Sequence, residues 1–118
     1  MFIVDDMTIS MSIGDTGAVR IQTSGYDFDD DDRAIFTIKN SNGTVLMERE
    51  YQIDENGGFL VCFYNANTEP FSAGNYQWDV RFVLEPYRDS DGKIMDGAQI
   101  LTPYGPQTFT LMNTVGTV

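Results

Sequence analysis

Histidine is missing altogether from this 118-residue chain, and cysteine occurs once. Without histidine, the commonest general base and the commonest zinc ligand are gone. The single thiol, Cys62, cannot close an internal disulfide, so nothing points to a disulfide-stapled secreted scaffold. Basic residues are scarce too: seven against 18 acidic ones, for a net charge of -11. Such a surface repels phosphate backbones and anionic lipid, which makes nucleic acid and membranes poor partners. No apolar run approaches the roughly 20 residues needed to span a bilayer. The opening "MFIVDDMTIS" has no basic region leading into an apolar one, so no secretory signal peptide is expected.

What remains is the composition of a folded protein, 42% hydrophobic and 13% aromatic. The length fits one domain spanning residues 1–118 with a core of its own. Short alternating runs fill the chain. In "MTISMSI" (7–13), Met7, Ile9, Met11 and Ile13 share a side. "AVRIQT" (18–23) sets Val19 and Ile21 against Arg20 and Gln22, and "AIFTIK" (34–39) sets Phe36 and Ile38 against Thr37 and Lys39. "NSNG" (40–43) and "DENGG" (54–58) each read as a hairpin turn, the second leading into "FLVCFYN" (59–65). The longest strand is "NYQWDVRFVLE" (75–85), with Tyr76, Trp78, Val80 and Phe82 on one face. "AQILT" resumes the sheet, "PYGP" (103–106) breaks it, and "QTFTLMNTV" closes it. Period-2 patterns bounded by Asn, Asp and Gly predict antiparallel strands. Turns recur every 8–12 residues or so, the spacing of an all-β sandwich or barrel. The expected fold is therefore one all-β domain of about seven or eight antiparallel strands.

Chemistry has few places to reside. Cys62 lies in a strand pattern with no histidine to activate it, and reads as a structural thiol. With so many acids, a pair of neighbouring carboxylates is no sign of a hydrolase. "GDTG" opens no helix and is no phosphate loop. Trp78 shares its face with apolar neighbours, which predicts core rather than a sugar-stacking platform. In "YDFDDDDR" (26–33), Asp27, Asp29 and Asp31 alternate and could offer oxygen ligands to calcium. An EF-hand would need glycine at the sixth position and glutamate at the twelfth, where this chain has Asp32 and Ile38. The segment is expected to be a wet connection pinned by Phe28, with no cofactor bound. Candidates for contact with other molecules are Phe2 and Ile3 in the first segment and Tyr87 beside Pro86. Lys93, Ile94 and Met95 in "DSDGKIMDG" and Tyr104 in "PYGP" join them.

The order of "GDTG", "AVRIQ", "DRAIFTIKN", "AGNYQWDVRF" and "GAQILTPYGPQTFTL" resembles the immunoglobulin-like domain of small phage and prophage virion proteins. It is similar to the N-terminal domain of baseplate upper proteins from tailed phages of Gram-positive bacteria. The likeness runs along nearly the whole chain, and "AGNYQWDVRF" with the acidic turn before "FTIK" carries most of it. It implies an immunoglobulin-like sandwich with no catalytic residues. It also implies a structural or adaptor role in a tail, baseplate or head accessory, through contacts with other virion subunits or itself. The place of work would be the virion, or the bacterial cytoplasm before assembly. Two other functions stay open at this point: a carbohydrate-binding module using exposed aromatics, and a calcium-dependent adhesion domain.

Overall fold

Alternation along the chain becomes eight strands in the computed structural model, which describes residues 2–25, 28–84, 90–93 and 99–113. They are β1 (Phe2–Asp5), β2 (Thr8–Ser12), β3 (Gly17–Gln22), β4 (Arg33–Lys39), β5 (Val45–Gln52), β6 (Gly58–Phe63), β7 (Gly74–Leu84) and β8 (Gln99–Met112). A single helical turn, α1 (Asn65–Thr68), follows β6. Six strands form one sheet in the order β1-β2-β8-β7-β4-β5, and β3 pairs with β6 in a second. The expected all-β sandwich is there.

Apolar residues of the inner faces close the core between the two sheets. Ile9, Phe36, Ile38, Val61, Phe63, Val80, Phe82, Phe109 and Leu111 are all buried. Tyr76 and Trp78 are buried with them, on the face that the alternation predicts. Phe36 stacks on Trp78 at 5.7 Å, and Phe63 packs against Phe109 and Phe36 from the opposite sheet. Buried tyrosine and tryptophan need partners for their polar ends. The Tyr76 hydroxyl donates to the Ser72 carbonyl at 2.8 Å, and the Trp78 Nε1–H to the Met7 carbonyl at 3.0 Å.

Two turns use one device. The Asn40 Oδ1 accepts the N–H groups of Asn42 and Thr44, and the Asp54 Oδ1 accepts those of Asn56 and Gly58. In each, the glycine three residues on, Gly43 or Gly57, takes a positive φ that other residues rarely adopt. The outcomes differ. The first turn makes the β4–β5 hairpin, but the second leads from β5 in one sheet to β6 in the other, so "DENGG" closes no hairpin.

Asp54 also receives the Arg20 Nη2 at 2.7 Å. Arg20 first, then the Gly58 N–H, holds its carboxyl below the ordinary value of 3.8. A carboxylate with a lowered folded pKa adds stability above its unfolded pKa and loses it as pH falls through the folded one. An NMR titration of Asp54 should therefore find a midpoint below the ordinary value, and Arg20→Ala should move it upward. A midpoint unmoved by Arg20→Ala would refute the assignment.

The sequence reading needs two further corrections. The large sheet is mixed, not antiparallel throughout, because β2 runs parallel to β8. A parallel pair needs a long connection, and almost the whole sandwich lies between these two strands. Nor does "PYGP" break the sheet: β8 runs through it from Gln99 to Met112. Between Phe82 and Val80 the partners advance from Leu101 to Tyr104, and between Val80 and Trp78 from Tyr104 to Gln107. Each step puts three residues opposite two, a bulge that absorbs the extra one. β2 flanks only Phe109 to Met112, so the earlier part of β8 is an open edge among the described residues. Prolines are tolerated at bulges and open edges, and Pro103 and Pro106 lie at both.

Candidate functional site

The N-terminal hairpin is where the two layers fail to match. Register pairs Phe2 with Met11 and Val4 with Ile9, so Phe2 and Val4 point to the inner side of the large sheet. Phe2 is received there. Its ring lies 5.5 Å from that of Phe63, and a Cβ on Gly17 would come within 2.3 Å of it. Val4 is not: it faces inward yet stays 44% exposed. The two-stranded sheet stops at β3, and among the described residues no strand beyond it covers the hairpin.

A cleft of about 270 Å³ opens between the β3 edge and this hairpin. Val4, Met7, Val19, Ile21, Trp78 and Tyr104 line it, with Ile9 at its base. Only an edge of Trp78 reaches it, since that side chain is 3% exposed. The Tyr104 hydroxyl crosses the gap and donates to the Gln22 carbonyl, tying β8 to β3. Asp5 and Asp6 stand exposed at the hairpin tip. Arg20 lies beside the cleft but is paired with Asp54.

The other candidates fall elsewhere. Ile3 is exposed on the outer side of β1, and Lys93 is exposed in its loop. Tyr104, expected at an exposed corner, is half-buried against Trp78 at 5.9 Å, because its strand is continuous. Phe2, expected to seek a partner, is taken up by the chain's own core. Tyr87, Ile94 and Met95 lie outside the described residues, as does Asp27.

In the acidic loop, Phe28 tucks inward and meets Phe82 edge-on at 4.9 Å. Asp32 is 3% exposed and accepts the Asp29 N–H at 2.8 Å, while Asp29 and Asp31 are exposed. Among the described residues no three carboxylates or thiols converge as a metal site would need. Asp32 therefore builds the turn, while Asp29, Asp30 and Asp31 stay wet. Asp32→Ala should cost about 1 kcal/mol in a urea titration, because the Asp29 N–H loses its acceptor. Asp31→Asn should leave the midpoint in place, and equal losses from both would refute the distinction.

Comparison with known proteins finds no family model, no curated protein and no solved structure that matches the chain. The site must be judged on its own geometry. It offers an apolar cleft, an open strand edge and a negative rim. Features of this kind suit contact with a surface or a segment by shape and charge. Sequence reasoning places Val4 in an apolar first segment that could pack on a partner, but does not mark Met7 as a cleft residue. "FIVD" is apolar at three successive positions, so it does not name its inner face, and nothing local says that the facing sheet ends at β3.

Proposed function

We propose that this chain is a non-enzymatic structural or adaptor protein of a phage or prophage particle, working through protein–protein contacts. The observation that carries this reading is the apolar cleft at the β1–β2 hairpin, uncovered among the described residues, which a partner can cover. The resemblance of "AGNYQWDVRF" and its flanking segments to immunoglobulin-like virion domains supports the particle setting. The tie from Tyr76 to Ser72, a hydroxyl-to-upstream-carbonyl bond of the kind found at the corner of immunoglobulin-like sandwiches, supports the sandwich type and not the setting. The chain has no histidine, and its one thiol lies half-buried on β6, which favours contact over catalysis. Burial of Tyr76 and Trp78 weighs against a sugar platform built from them.

Purified particles from a producing strain provide the test. Mass spectrometry should find the chain in fixed stoichiometry with particle proteins after gradient sedimentation. Its absence from intact particles would overturn the assignment.

A further inference from the structure

We propose that the open edge of β3 takes up an extended segment of a partner protein, apolar at alternate positions and basic between them. The segment becomes a third strand of the small sheet and roofs the N-terminal hairpin. This rests on the adaptor reading above and specifies its site and the chemistry of its partner.

Three observations converge on it. The first is the backbone. Thr23 N–H donates to Gly57 O at 3.0 Å, and the β3–β6 register extends that pair to Ile21–Phe59 and Val19–Val61. Antiparallel alternation then turns the N–H and C=O groups of Ala18, Arg20 and Gln22 away from β6, toward the open edge. On that side the Tyr104 hydroxyl already takes the Gln22 carbonyl. This is direct sign of where a donor can stand. The second is the missing layer. Val4 faces inward, no described residue forms a strand above it, and the cleft beside it joins the same edge. A strand hydrogen-bonded to β3 would set alternate side chains over Val4 and Met7. Backbone bonds would give affinity and the cleft selectivity, the logic of strand addition. The third is charge. Asp5 and Asp6 rim the opening, the chain carries -11, and the basic residue at hand is paired. A second copy would bring the same negative charge, whereas a basic segment is drawn in.

The experiment uses a heptapeptide alternating lysine and valine, added to the full chain. Two controls accompany it: a glutamate–valine version, and the lysine–valine peptide with its central valine replaced by proline. Amide exchange at Ala18, Arg20 and Gln22 and the emission of Trp78, the chain's one tryptophan, are followed. The lysine–valine peptide should slow exchange at those three amides and shift Trp78 emission, and neither control should do so. Ala18→Pro removes an outward N–H while leaving the bonds to β6, and Val4→Lys places a like charge at the cleft. Each should weaken binding at least roughly tenfold. Val4 is already exposed, so Val4→Lys keeps the test valid should Ala18→Pro not fold.

Unchanged exchange at millimolar peptide would overturn the proposal. Equal binding of the proline peptide would overturn it too, by reducing the effect to charge attraction. Protection that grows with protein concentration alone would make a second copy the occupant and exclude the basic partner. A chain found in particles whose β3 edge ignores the peptide would sink this inference and leave the adaptor reading standing. The reverse result, absence from particles with the edge engaged, would sink that reading instead.

Discussion

Phe63→Ala is expected to lose about 3–5 kcal/mol of folding stability, the range for truncating a large buried aromatic. Phe63 is 1% exposed and joins more of the core than its own strand. Its ring meets Phe2 at 5.5 Å, Phe36 at 6.4 Å and Phe109 at 6.0 Å, so one side chain links β1, β4 and β8 to the small sheet. With two strands in that sheet among the described residues, few other side chains can close the gap left behind. Domains of this kind hold about 5–15 kcal/mol in total, so the variant should sit near the edge of folding. Urea unfolding followed by Trp78 emission gives the number. Phe63→Leu, which keeps most of the volume, should lose clearly less. Equal losses for the two would show that the ring contacts are not what holds the sheets together.

Thr68→Val should cost about 1–3 kcal/mol, although valine fills the same space. Thr68 is fully buried, and its Oγ1 accepts the Gly14 N–H at 2.8 Å. From the same helical turn, the Asn65 Nδ2 donates to the Gly14 carbonyl. One turn of helix thus holds both polar groups of a glycine in the β2–β3 connection, across more than 50 residues of chain. Valine would leave the N–H without an acceptor in a half-buried place, and that unmade bond is the expense. Thr68→Ser keeps the oxygen and should recover most of the loss. If serine and valine behave alike, methyl packing rather than the hydrogen bond sets the role of Thr68.

This clamp shows where local sequence stops being informative. "YNANT" has no apolar periodicity, and nothing in it names Gly14 as its partner. The acidic loop was more legible. Phe28 is the sole apolar residue among five aspartates, so its inward turn follows from the hydrophobic effect alone. That Asp32, and not its neighbours, would be the buried one depended on the turn geometry around Asp29.

The apolar–polar alternation by itself determined most of the strands, the inward set from Ile9 to Phe109, and the burial of Trp78. The reason is local: successive side chains of a strand point to opposite faces, so a period of two already states which face is dry. The repeated Asx-x-Asn-Gly pattern likewise determined two turns, because side-chain oxygen and glycine conformation act within five residues. Tertiary structure alone decided which edges met. Backbone hydrogen bonds look the same from every strand, so pairing is settled by competition over the whole chain for burial. That competition made β2 run parallel to β8, carried β8 through its prolines with two bulges, and divided the strands six to two. The unequal division is what leaves Val4 facing inward with no described strand above it.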